Sequence, residues 1–258
     1  MAFTKSSVLS IGHGGRFKIG FVGLCAGAGA TTLAFSAAEY LAAREGKTGR
    51  KVAFLELSPR SDFPAGFAYD KIGIDRRFAG REFLPIHKIA SEGKPLKGIE
   101  NIDGGINWAL RIPGEPGPAP TVASLFRLLN NVPGDIIVCD VSSYSFFGRS
   151  GGHDDLIALL ADFDRIYCIL DPLPSRLLAS VPAAGACRAV SSAGTNTFWV
   201  FNKLNPGADM REAVRFTGVK DFLAFPAIPA EIIYKAEYAC RSLVSSPAAQ
   251  SALLSMLG

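Results

Sequence analysis

One stretch limits what this chain can become: residues 18 to 32, KIGFVGLCAGAGATT, and the helix they lead into. Lys18 to Gly23 are short, apolar and partly β-branched, which suits a buried strand. Ala26, Gly27, Ala28, Gly29 and Ala30 then leave a loop with almost no side chains. Beyond Thr31 and Thr32, the apolar residues Leu33, Ala34, Ala37, Ala38, Leu41 and Ala42 recur at helical spacing, which predicts a helix over about 30 to 45. A bare loop between strand and helix can aim successive backbone N–H groups into one concavity at the positive end of the helix dipole. That is what holding a phosphate requires. The same turn would also let a helix pack tightly on a strand with no ligand at all.

The rest of the chain repeats the alternation. A break at 46 to 49 and the strand VAFLEL at 52 to 57 complete a βαβ unit, whose parallel crossover puts a ligand at the carboxyl ends of the strands. That strand ends Leu55-Glu56-Leu57-Ser58-Pro59. Further on, helix 122 to 132 leads to strand 135 to 140, which ends in Asp140. Helix 154 to 161, strand 165 to 170, a helix from the turn at 171 to 175 to about 190, and strand 197 to 202 follow. The chain closes with helix 209 to 218, strand 221 to 225 and helices over 230 to 243 and 247 to 257. Residues 60 to 118 are the least regular, with recurring Pro and Gly, and only INWALRI at 106 to 112 reads as a strand there. Between Lys71 and Lys97, seven basic residues (Lys71, Arg76, Arg77, Arg81, Lys88, Lys94, Lys97) face three acidic ones, Asp75, Glu82 and Glu92. Such a run is a solvated face or a docking surface for an acidic protein, nucleic acid or anionic ligand.

The loop resembles the deviant phosphate loop of the MinD/ParA family, Lys-Gly-Gly-x-Gly-Lys-Thr-Thr. Its glycine positions fall on Ala26, Gly27 and Gly29, and its threonines on Thr31 and Thr32. Both lysine positions are lost: the signature lysine that reaches across a dimer falls on Cys25, and the general phosphate-loop lysine falls on Ala30. The resemblance extends in element order over about 18 to 257. It makes Gly27, Ala28, Gly29, Ala30, Thr31 and Thr32 the phosphate cradle, and Thr31, Glu56 and Asp140 the magnesium-side residues. Asp140 corresponds to the Walker B aspartate. Glu56 and Ser58 replace the two carboxylates of the family's Asp-x-Asp-Pro. Asn202 falls where the family often has a base-binding asparagine. The run Asn202-Lys203-Leu204-Asn205 also approaches the NKxD guanine motif but lacks its Asp. As plain residues, Glu56 and Asp140 also suit a solvated strand end and a loop start, and Asn202 a turn.

Composition sets outer limits. A chain of 258 residues, 48% hydrophobic, can bury the core of one α/β domain. No run of eighteen apolar residues predicts a membrane span, and the N-terminal segment lacks the apolar core of a signal peptide. Cys25, Cys139, Cys168, Cys187 and Cys240 show no metal-ligand spacing and read as reduced structural thiols. The net charge of +4 disfavours strong nonspecific DNA binding.

The expected architecture is therefore a mostly parallel β-sheet with helices on both faces, a flexible lead-in over 1 to 17 and a single domain over 18 to 258. The resemblance implies a cytoplasmic positioning or assembly scaffold with protein partners, recruited to the membrane only through them, and a homodimer that does not depend on nucleotide. ATP and magnesium are expected to bind weakly or not at all, with no efficient hydrolysis. The Glu in LELSP and the degenerate loop resemble CpaE/TadZ-type relatives, which act in pilus assembly at the cell envelope. Two other readings stay open: an ATPase switch with its cation supplied by Arg16, Arg60, Arg76 or Arg176, and a partition-type DNA binder using residues 71 to 97.

Overall fold

The computed structural model describes residues 15–59, 67–115 and 119–257. Its strands are β1 Phe17–Gly23, β2 Val52–Leu57, β3 Ile102–Asp103, β4 Ile106–Ala109, β5 Ile136–Ser142, β6 Arg165–Leu170, β7 Asn196–Leu204 and β8 Leu223–Pro226. They form one sheet in the order β3-β4-β2-β5-β1-β6-β7-β8. Every pairing is parallel except the β3–β4 hairpin at one edge. The strands expected over 18 to 23, 52 to 57, 135 to 140, 165 to 170 and 197 to 202 stand together as β2-β5-β1-β6-β7.

The helices are α1 Ala30–Glu45, α2 Phe67–Ile72, α3 Ile74–Arg77, α4 Ile86–Ser91, α5 Val122–Asn131, α6 Gly152–Ala161, α7 Pro174–Ser192, α8 Met210–Thr217, α9 Ala230–Tyr238 and α10 Pro247–Leu257. They cover both faces. Phe21, Phe54 and Val138 point into the core shared with α1 and α10, while Val22, Leu55 and Cys139 point into the core shared with α5, α6 and α7. Burial on both sides explains why the central strands read as continuous apolar runs rather than alternating ones.

Local chemistry moves several boundaries. The strand expected over 106 to 112 ends at Ala109, because the Arg111 N–H leaves the sheet and donates to the Glu56 carboxylate at 3.2 Å. The helix expected over 230 to 243 ends at Tyr238. Cys240 there takes φ 52, Arg241 N–H bonds back to the Ala236 carbonyl at 2.8 Å, and the Ser242 hydroxyl caps a new turn at Leu243. The irregular stretch holds three short helices, α2, α3 and α4. Of the expected lead-in, residues 1 to 14 lie outside the described residues. Arg16 is tied to the Asn130 and Val132 carbonyls, and Phe17 already belongs to β1.

Most of the basic stretch has internal partners. Lys71 pairs with Glu237 at 2.7 Å, Arg77 with Glu39 at 2.6 Å and Asp103 at 3.1 Å, and Arg81 with Asp103 at 3.5 Å. Arg76 donates to the Tyr238 carbonyl and Lys94 pairs with Glu92. Lys71, Arg76 and Arg77 tie α2 and α3 to α9 and the chain at Cys240.

Candidate functional site

The carboxyl ends of β1, β2 and β5 open onto a crevice of about 290 Å³, lined by Gly27, Ala28, Gly29, Ala30, Thr31, Thr32, Glu56 and Asp140. Its floor is the loop between β1 and α1. Gly27 and Gly29 take φ 75 and 93, with Ala28 between them outside the positive-φ region. Alternating hands of this kind turn consecutive N–H groups to one side. Gly29 is also the N-cap of α1 and has no side chain to satisfy the helix's first N–H groups. A Cβ at Gly29 would lie 2.3 Å from the Asn202 amide nitrogen, so only glycine fits this position.

The loop is held from behind through its carbonyls. The Arg176 guanidinium donates to Ala26 at 3.0 Å, Lys203 Nζ to Gly27 at 2.5 Å and Asn202 Nδ2 to Ala28 at 2.8 Å. Lys203 also pairs with the buried Asp171 at 3.1 Å. Its φ of 58 is unusual for a residue with a side chain, a strain that such clamps sustain only with firm surroundings. Asn202 thus spends its amide nitrogen on the loop while lining the neighbouring cavity. The sequence missed Lys203 and Asp171 as loop clamps. The partial match to the guanine motif marked Lys203, and nothing local marked Asp171.

Opposite the helix end stand the two carboxylates. Glu56 on β2 is in register with Asp140 on β5, and the Thr31 hydroxyl donates to Asp140 at 2.6 Å. Burial pushes Glu56 up to about 7, helped by the charge of Asp140 and opposed by the Arg111 N–H. Burial likewise raises Asp140 to about 6, against the Thr31 hydroxyl and the charge of Lys71. Such groups gain strongly from a cation placed between them. Ser58 also lines the crevice and donates its hydroxyl to Ser145 Oγ at 3.1 Å.

Cys25 and Ala30, the positions where the resemblance would place lysines, are neutral and packed. Cys25 is 2% exposed, and burial raises its thiol above the ordinary range. Ala30 is 7% exposed and rests against β1 at Gly23. The sequence named four arginines as replacements. Arg16 sits at the opposite end of β1, Arg76 is drawn to α9, and Arg60 lies outside the described residues. Arg176 reaches the loop, but at its carbonyl side. Lys71, Arg111 and Lys203 are the cations that line the crevice among the described residues.

Beside the crevice lies a larger cavity of about 900 Å³. Gly29, Thr32, Lys203 and Ile233 border both, and Leu173, Leu177, Phe225 and Ile228 make the larger one mainly apolar. A polar cradle opening into an apolar chamber suits a phosphorylated ligand with a flat organic end.

Solved structures share this fold. The chain superposes on a ParA family ATPase from Chlorobium tepidum with TM-score 0.68 at 13% identity, covering 94% of this chain and 98% of that one. The chain has the ParA/MinD fold. The ParA/MinD likeness extends to the septum site-determining protein MinD of Pyrococcus horikoshii, solved with Mg-ADP, at TM-score 0.60 and 13% identity over 94% of both chains. It includes a putative plasmid partition protein of Borrelia burgdorferi bound to AMPPNP, at TM-score 0.58 and 12% identity over 93% and 97%. No protein-family model and no curated protein sequence matches the chain.

A magnesium nucleotide fits the residues of this ParA/MinD-fold site. The glycine cradle offers N–H groups, and Thr31, Asp140 and Glu56 offer the hard oxygens magnesium takes. Among the described residues no cluster of three or more His, Cys, Asp or Glu side chains gathers.

Proposed function

We propose that this chain is a degenerate ParA/MinD-type P-loop protein, a pseudo-ATPase that binds magnesium nucleotide weakly and serves as a positioning or assembly scaffold. The observation that carries this reading is a cradle with its backbone geometry intact and both lysine positions neutral. Gly27 to Thr31 would hold phosphate through N–H groups, Thr31 and Asp140 would hold magnesium, and the cavity at Asn202 would take the base. The metal supplies charge neutralisation for phosphate oxygens. Removing one preorganised donor typically lowers kcat by about 10²–10³. A cation supplied across an interface is worth about 10³–10⁵. With both lysines gone, hydrolysis falls towards background while some binding survives.

The fold's other members in the comparison include division, partition and MinC-bound proteins, which supports protein partners for this chain. The Glu56-containing LELSP turn favours a place among pilus-assembly relatives at the cell envelope. A second reading, an active ATPase switch, is favoured by the three cations at the crevice. Calorimetry with ATP or ADP and magnesium, beside steady-state turnover, decides between them. The scaffold reading expects weak binding and no turnover. Turnover of about one per minute or faster, abolished by Asp140→Ala, would establish the switch.

A further inference from the structure

With positions 25 and 30 neutral, an anion in the crevice must draw its counter-charge from outside the loop. Three cations line it among the described residues, and they are not equivalent. Lys203 is committed behind the loop to Gly27 and to Asp171, whose side chain is 4% exposed, and its withdrawal would strand a buried carboxylate. Arg111 acts on the Glu56 side of the crevice: its N–H binds that carboxylate, and its charge falls on Glu56 and His87. Lys71 acts on the other side, where its charge falls on Asp140, the partner of Thr31.

Lys71 has a partner it can give up. Its ammonium meets Glu237 of α9 at 2.7 Å, and the Glu237 side chain is 42% exposed. With the Lys71 side chain 19% exposed, the pair is only partly solvated, and a multiply charged phosphate is a competing partner for the ammonium. Helix α9 also sends Ile233 to the border of both cavities and carries Tyr234 and Tyr238 on its open surface.

We propose that Lys71 is a movable phosphate cation, held by Glu237 before nucleotide binds and released to bound nucleotide, so that loading the crevice frees α9. This rests on the nucleotide reading above and adds its regulation. The phosphate loop of this chain has no lysine of its own. It borrows one from α2, and the exchange reports occupancy to the surface of α9.

The test compares Lys71→Gln and Glu237→Gln in the whole chain, with Mg-ADP titrated by calorimetry and hydrogen exchange followed over residues 230 to 238. Both variants break the same ion pair, so a purely structural pair would shift affinity in one direction for both. The exchange instead demands a loss in Lys71→Gln and no loss in Glu237→Gln. Lys71→Gln should bind at least fivefold more weakly, Lys71→Arg should recover most of the loss, and Glu237→Gln should bind as tightly as the unaltered protein or tighter. Mg-ADP should speed hydrogen exchange over 230 to 238 in the unaltered protein, and Glu237→Gln should show that faster exchange without nucleotide. Equal affinity for Lys71→Gln and the unaltered protein overturns the exchange alone, as does a parallel loss in both variants. No binding by the unaltered protein at millimolar Mg-ADP overturns the nucleotide reading with it. Should Lys71→Gln fail to fold, unchanged or slower hydrogen exchange in α9 on adding Mg-ADP to the unaltered protein overturns the proposal.

Discussion

Glu56 and Asp140 lie side by side across two buried strands, and their setting makes the site sensitive to pH. A carboxyl group whose folded pKa is raised favours the fold while protonated. Its contribution is full below the unfolded value near 4.5 and is lost as pH rises through about 7. For Glu56 the span amounts to on the order of 3 kcal/mol. Glu56→Gln should therefore raise the melting temperature more at pH 8 than at pH 5, and magnesium nucleotide should shrink the difference by favouring the carboxylate. His87 runs the other way. Buried beside the Ala109 carbonyl and pushed down to about 4, it contributes above its ordinary value near 6.5 and loses stability as pH falls through 4. The difference between variant and unaltered protein, rather than either curve alone, isolates Glu56. At Ala30 the expected outcome concerns binding. Ala30→Lys should tighten Mg-ADP measurably by calorimetry while leaving turnover near background, since Cys25 and Ser58 remain. The cradle, Glu56 and Asp140 were legible in the sequence because a bare loop and strand-end carboxylates are local signals. Lys71, Arg111 and Asp171 were not, because only the packing of distant segments brings them to the loop.

Arg77 shows the element scale. Its side chain, 12% exposed, pairs with Glu39 of α1 and Asp103 of β3, donates to the Cys240 carbonyl and lies over the rings of Phe35 and Trp108. Arg77→Ala would take the cation from Glu39 and leave Asp103 only its longer contact with Arg81, and should cost about 3 kcal/mol by urea denaturation. The sequence offered this residue as one of a basic run, and a run of like charges does not reveal which members have partners. Helix α10 was legible for a different reason: its tail carries no Lys or Arg. Ala249, Leu253, Met256 and Leu257 are buried against α1 and the sheet, and the Met256 carbonyl accepts the Tyr167 hydroxyl. Leu253→Ala should cost about 3 kcal/mol, and the unaltered protein should not cosediment with anionic vesicles. No helix of the described residues is long and apolar enough to cross a membrane.

Across the whole molecule, alternation of strand and helix fixed the layer arrangement before any distance was known, because parallel strands need crossovers and crossovers need helices. The boundaries that moved, at Ala109 and Tyr238, did so where a carboxylate or a serine offered the backbone another partner. Since most of the basic stretch is engaged internally, DNA titration at 50 mM salt should show no binding that weakens with added salt. With a neutral Cys25, self-association measured by sedimentation should be the same with and without Mg-ADP.

The place of β1 has a consequence for how the chain is made. It stands in the middle of the sheet between β5 and β6, so both of its neighbours are encoded more than a hundred residues later. At about 5–20 residues per second, a ribosome needs on the order of ten seconds to deliver the first of them. Until then Phe17–Gly23, the strand that carries the phosphate loop, is an unpaired apolar edge in a crowded cell. The exposed strand of the nascent chain is one that the finished protein holds between two neighbours, and a holdase acting early in synthesis would meet it there.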